Sequence, residues 1–246
     1  MLFDQVLVAF KEHLFLEGFQ DGVDHLIQFK RNKNDIVNSI RHRFLGKLKI
    51  PGYSNYLHPY DETHLIGIGK DVDASIDADK VHDPNAVYYT AVKGVKLSLF
   101  DVSDVSNPKE VAKVAIGERG TDSEALYKHK AFLFSKEKGL LVIPATVYDE
   151  WNYKYNGAYV FSLDLENGFK LKGTITHEDE SQQKQGYADW LATVRRSLYM
   201  ENTLYTISQR KIRANDLSSE NLTEIKTIDL PVKEQIYPIY YASQSS

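Results

Sequence analysis

The sequence has no cysteine among its 246 residues, which excludes disulfides, thiolate zinc sites and cysteine nucleophiles. It also lacks an apolar run of the roughly 20 residues that a bilayer-spanning helix needs. Basic residues form no long run and the net charge is −4, so a surface that follows nucleic-acid phosphates is not expected. Asp4 and Lys11 interrupt the apolar start and no basic segment precedes it, so no signal peptide is predicted.

Aromatic residues, by contrast, are plentiful, with 16 Tyr and 11 Phe, and such residues favour the half-buried surface of a β-sheet. Between residues 117 and 177, four apolar runs alternate with polar turns, the pattern of an up-and-down antiparallel sheet. The same pattern recurs before and after this stretch. Equivalent first strands are predicted to begin near Ser54, Ser123 and Arg195, so the repeat is about 70 residues long.

A four-stranded sheet cannot bury both of its faces alone, so successive sheets must stack. We therefore predict a mainly β fold, a partial β-propeller of about three four-stranded antiparallel blades over residues 44–232. Known propellers have about 4–8 blades, and the alternating run at 45–50 stands where a further blade would end. The chain is therefore expected to be the C-terminal part of a longer propeller, with a C-terminal tail at 233–246.

The first 43 residues have a different period. Apolar residues at 2, 3, 6, 7, 10 and 14 fall at helical spacing, and a weaker pattern of this kind covers 23–40. This predicts a short α-helical N-terminal segment over 1–43. Its apolar stripe needs a covering surface, either the sheet behind it or another chain.

Four runs within the β region carry a resemblance to a known family: 51–61, 99–104, 122–126 and 129–134. With them, residues 44–230 resemble the C-terminal β-propeller domain, distantly related to WD40 repeats, of a family of secreted archaeal and bacterial proteins. The resemblance implies a propeller fold and no particular activity. It also implies export, whereas no signal peptide is predicted in this chain, so the localisation is left open.

An acidic insert at 71–83 is the candidate metal site. Its carboxylates at nearly alternate positions are Asp71, Asp73, Asp77 and Asp79. Hard oxygen ligands in this arrangement suit Ca²⁺. The insert is not an EF-hand loop, because Ile76 replaces the glycine of the sharp turn and His82 replaces the bidentate glutamate. The alternative is a solvated loop in which the aspartates form turns.

A second insert, at 148–157, is dense in aromatic and amide side chains. Its candidate binding residues are Tyr148, Trp151, Tyr153 and Tyr155. Tyr, Trp and Asn are typical of adaptable recognition surfaces, and such loops on a rigid scaffold often bind ligands. The alternative is an extended hairpin whose aromatic rings pack across strands.

Asp122, Ser123, Glu124 and His129 lie close together in the sequence. A triad is defined by geometry rather than spacing, and we expect these residues to form structural hydrogen bonds between blades, so no catalytic residue is assigned. The predicted function is a non-enzymatic propeller scaffold that binds a protein or small ligand, with self-association through open blade edges as a further expectation. The alternative is a hydrolase with an acidic and histidine site at the propeller channel.

Overall fold

The computed structural model describes residues 48–73, 75 and 91–231, together with three short N-terminal strands. These strands are β1 (Asp4–Val6), β2 (Leu16–Glu17) and β3 (Leu26–Ile27). β1 pairs antiparallel with β4 (Lys49–Pro51), and β2 pairs with β3. Most of the segment predicted to be helical, 1–43, lies outside the described residues, and its described parts are strands. The predicted tail at 233–246 also lies outside them.

Three four-stranded antiparallel sheets follow, each with its strands in chain order. The first blade contains β5 (Tyr53–Pro59), β6 (His64–Val72), β7 (Val92–Asp101) and β8 (Lys109–Ile116). The second contains β9 (Leu133–Ser135), β10 (Leu140–Asp149), β11 (Asn152–Asp164) and β12 (Gly168–Ile175). The third contains β13 (Arg196–Met200), β14 (Thr203–Ile207), β15 (Lys211–Asp216) and β16 (Glu224–Asp229). The predicted mainly β fold with three four-stranded blades is confirmed.

Helical structure in the described part of the chain is short. It includes helix α1 (Glu180–Gln183) and two 3-10 turns, Glu124–Leu126 and His129–Ala131. Within these described residues, no helix has both the length and the apolar character that a membrane span requires.

The core lies between the blades. Because side chains alternate across a strand, β10 supplies both interfaces. Leu141 and Ile143 join the cluster shared with the first blade, whereas Leu140 and Val142 join the cluster shared with the third. Each buried aliphatic side chain stabilises the fold by about 1.5–3 kcal/mol relative to leaving it exposed. The sequence of strand β10 is therefore almost continuously apolar, because the neighbouring blades cover both of its faces.

The first strand of the second blade begins at Leu133 and not near Ser123 as predicted. Ser123 instead caps the first 3-10 turn, where its Oγ accepts a hydrogen bond from the Ala125 backbone at 3.2 Å. The same Oγ donates to the Pro144 carbonyl. A serine that satisfies backbone groups in this way favours a turn over a strand, so 3-10 structure replaces the start of the predicted strand.

The connections divide between the two ends of each blade. Because neighbouring strands are antiparallel, the β6–β7 connection and the β10–β11 turn lie at the same end as the linkers that leave β8 and β12. We call this the insert end, since both inserts singled out in the sequence are attached to it. The opposite end carries short turns, including the one with Leu165 between β11 and β12.

Candidate functional site

The aromatic insert at 148–157 is an extended hairpin. Strands β10 and β11 continue to a two-residue turn, Glu150 and Trp151, whose φ angles are 47° and 74°. Positive φ at both turn residues matches the type I′ hairpin, where Asn and Gly are usual. Trp151 is 58% exposed at this tip. The turn therefore projects a large indole ring from a backbone conformation that side chains generally avoid.

The linker that leaves β8 holds this hairpin in place. The Glu118 N–H donates to the Tyr148 carbonyl at 2.8 Å, and the Trp151 N–H donates to the Arg119 carbonyl at 3.2 Å. Asp122 and Thr146 form an antiparallel bridge. Backbone hydrogen bonds from β10 and from the tip itself therefore hold this turn against the linker instead of leaving it a loose loop.

The other three predicted binding residues lie lower on the hairpin. Tyr148 packs edge-on against Tyr153, with ring centroids 5.9 Å apart. The Tyr153 hydroxyl donates to Glu178, and burial together with this carboxylate raises the pKa of Tyr153. Burial also raises the pKa of Tyr155, whose ring packs edge-on against Tyr159. The structure places these tyrosines mainly in packing, as the hairpin alternative expects, and leaves Trp151 at the surface.

Glu178 organises a polar network that the sequence did not single out. It is only 4% exposed and accepts hydrogen bonds from Tyr153, from the Asn156 side chain and from the Asp189 backbone. Arg210 binds the Asp189 carboxylate at 2.7 Å. These hydrogen bonds hold the hairpin against the linker between the second and third blades. No sequence signal marked it, because its members are spread over more than 50 positions.

Two clefts lie at the insert end, on either side of the linker that leaves β8. One has a volume of about 270 Å³ and reaches Arg195 at the third blade. The other has about 220 Å³ and reaches Lys93 at the first blade. Asp122 and Tyr127 line both clefts. They are therefore adjacent parts of one depression, which we call the linker groove.

Ion pairs connect this groove to the first and third blades. Lys70, on the first blade, donates to the Thr121 carbonyl and lies 3.0 Å from the Asp122 carboxylate. Glu124, in the 3-10 turn of the same linker, contacts Arg195 of the third blade at 2.9 Å and Lys128 at 2.9 Å. Lys70 and Arg195 are too distant in sequence from these carboxylates for spacing to reveal the pairs.

Glu124 is held in its charged form. Burial would raise the pKa of this carboxyl, but the hydrogen bonds from Arg195 and Lys128 outweigh burial and lower it. A carboxylate stabilised by cations suits a structural role. A general acid instead needs a raised pKa.

The four residues considered for a triad are not assembled into one. Ser123 Oγ is engaged with Pro144 and Ala125. His129 stacks on Tyr56 of the first blade, with ring centroids 4.1 Å apart, and does not contribute to the lining of the linker groove.

The calcium prediction concerns the connection between β6 and β7. Asp71 and Asp73 are described, whereas Asp77 and Asp79 lie outside the described residues. Asp73 accepts hydrogen bonds from the backbone and hydroxyl of Ser75, and Lys93 lies 3.5 Å from its carboxylate. This geometry is the turn that the alternative interpretation expects. Calcium binding stays a prediction.

The strained tip yields a testable prediction. Replacing Glu150 with Asn and Trp151 with Gly should stabilise the chain by about 1 kcal/mol, because these residues adopt positive φ more readily. Urea unfolding measures the change. Leu165→Gly, in a turn without positive φ at that residue, is the control and should destabilise by roughly 0.5–1 kcal/mol. A destabilised double variant would mean that the indole contributes more by packing than its backbone costs.

Comparison with known proteins agrees with this architecture. The model of a family described as a beta propeller domain matches residues 35–220. An uncharacterized protein of Methanocaldococcus jannaschii is 29% identical over 217 residues, which are 87% of this chain and 28% of that protein. An uncharacterized protein of Archaeoglobus fulgidus is 29% identical over 220 residues, with the same shares. The chain thus spans just over a quarter of the length of these relatives. With a family match over most of its length and three stacked blades, the chain belongs to the beta propeller domain family.

Proposed function

We propose that this chain is a non-enzymatic β-propeller scaffold that binds a protein or ligand through its insert end. The observation that carries the proposal is the tip of the second insert, where Trp151 is exposed on a strained and firmly anchored turn. Residues kept in unfavourable backbone conformations cluster at sites of function. An exposed Trp is also the residue type that contributes most to interfaces.

The alternative, a hydrolase with an acidic and histidine site, has less support. Asp122 is paired with Lys70 and Glu124 with Arg195. His129 stacks on the Tyr56 ring and does not line the cleft that contains both carboxylates. Carboxylates neutralised by cations between blades favour the scaffold over a catalytic pair.

Photo-cross-linking tests the scaffold proposal. Benzoylphenylalanine at position 151 should capture a specific partner from an extract of the source organism, whereas the same residue at position 165, at the opposite end, should not. Excess unlabelled chain should compete for that partner, and a Trp151→Ala chain should compete poorly. Equal capture from both positions, or equal competition by both chains, would contradict the proposal.

A second proposal concerns self-association through the third blade. Leu198 and Met200 alternate with Tyr199, which packs toward the second blade, and they are 41% and 57% exposed. Strand register places Ile207, Ile212 and the 49% exposed Ile228 on the same outward face. The first and second blades use the corresponding outward faces to hold their neighbours. Arg196 and Lys226 share this face, but an exposed cluster of apolar side chains of this kind favours association with another copy.

Light scattering on a sizing column measures this association. We expect the chain to form a defined oligomer. The Met200→Glu variant should dissociate to monomers, because burying a carboxylate in this contact is costly unless an opposite charge neutralises it. Leu165→Glu, which adds the same charge at an exposed turn, should leave the mass unchanged. A monomeric native chain would exclude self-association.

A further inference from the structure

The linker groove is richer in cations than in carboxylates. Its lining includes five cationic and two acidic side chains, on a chain whose net charge is −4. The cations are Lys70, Lys93, Arg119, Lys128 and Arg195, and the acids are Asp122 and Glu124. The groove is therefore a local positive region on an acidic protein, and such a region attracts anions selectively.

Several of these charges remain accessible to a ligand. The Lys128 side chain is 59% exposed and that of Arg195 is 36% exposed, although both contact Glu124. Lys93 is likewise 36% exposed at the other end of the groove, where it lies 3.5 Å from the partly exposed Asp73 carboxylate. One buried carboxylate shared among several cations leaves positive charge unneutralised at the rim. That excess is available to a second, external carboxylate.

Exposed aromatic rings border the same cations. Trp151 is 58% exposed and Tyr127 is 65% exposed, and both line the cleft that contains Lys93. Arginine, tryptophan and tyrosine together are the side chains most enriched at the centres of protein interfaces. A small inorganic anion would use the cations and leave the rings without a role.

We infer that the linker groove binds an acidic peptide segment of a partner protein, with carboxylates on the Lys93 and Arg195 sides and an aromatic or aliphatic side chain against Trp151. The inference rests on the scaffold function proposed above and specifies its ligand. Each cleft alone is smaller than the roughly 300–1,000 Å³ of a typical small-molecule site. An extended segment that crosses the linker uses both clefts.

Fluorescence anisotropy of a labelled peptide of alternating glutamate and tyrosine, about eight residues and thus roughly 28 Å long when extended, tests the inference with the full chain. We expect saturable binding that weakens as salt increases. Lys93→Glu should weaken it by about tenfold or more, because an attractive charge becomes repulsive. Trp151→Ala should weaken it by a similar factor. A peptide of alternating lysine and tyrosine should not bind.

Matched controls lie at the opposite end of the blades. Lys109→Glu makes the same charge change at an exposed position, and Leu165→Ala removes an exposed apolar side chain; neither should alter binding. The inference is overturned by a glutamate–tyrosine peptide that does not bind, by equal losses in the controls, or by oligogalacturonate binding in its place. Specific cross-linking from position 151 without acidic-peptide binding would leave the scaffold proposal standing and reject only this ligand.

Discussion

Phe161→Ala should lower the free energy of unfolding by about 3–5 kcal/mol. Phe161 is 1% exposed in the cluster between the first and second blades, and its ring packs edge-on against Phe169. Truncation removes buried apolar surface and leaves a cavity between two sheets that cannot close without shifting a blade. Since total stabilities are about 5–15 kcal/mol, a loss of this size should be evident in a urea titration.

The control for this variant is its partner across the sheet. Leu171 lies opposite Phe161 in strand register but is 56% exposed, so Leu171→Ala should change stability by less than about 0.5 kcal/mol. A single transition, with the dependence of the unfolding free energy on urea concentration unchanged, would show that the blades unfold as a unit. A second transition would show that blades separate first, and a loss below about 1 kcal/mol for Phe161→Ala would contradict the buried interface.

Strand alternation made most of the fold predictable. The third blade illustrates this, because the repeat predicts a first strand near Arg195 and the four strands β13 to β16 begin at Arg196. Each of these strands has short-range apolar patterning and a polar turn, both of which are local signals. The N-terminal segment differs, since β1 exists by pairing with β4, some 45 positions later. Helical periodicity cannot report such a pairing.

The site was predictable only in part. The sequence singled out Trp151, because aromatic density at an insert is a local feature. It did not reveal that Lys70 would meet Asp122 or that Arg195 would meet Glu124, since 71 positions separate the latter pair. Burial of Glu178 in an otherwise polar connection was also unforeseen. Charge pairing and desolvation depend on which linker crosses which blade, and spacing along the chain does not contain that information.

Acid should weaken the contact between the second and third blades through His177. This side chain is fully buried, with its Nδ1 2.8 Å from the Ser208 hydroxyl and its Nε2 2.9 Å from the Thr206 hydroxyl. Burial, reinforced by the positive charges of Arg213 and Lys211, lowers the pKa of His177 from 6.5 to about 4. The folded protein therefore keeps this imidazole neutral at pH values where the unfolded chain protonates it.

The direction of the effect follows from proton binding. Well above pH 6.5 the histidine is neutral in both states, and its contribution to stability is complete. As the pH falls toward 4, the unfolded chain binds a proton that the folded chain excludes, so stability is lost until the folded group also titrates. For the shift in pKa given above, the loss between pH 7 and pH 5 is about 2 kcal/mol.

Urea titrations at pH 7, 6 and 5 measure this loss, and His177→Gln isolates it. Glutamine hydrogen-bonds without titrating, so this variant should start less stable at pH 7 and then lose about 2 kcal/mol less than the native chain by pH 5. Burial also lowers the pKa of His58, so some dependence on pH should persist. Parallel profiles for the native chain and His177→Gln would mean that this histidine accepts its proton without opening the interface between the blades.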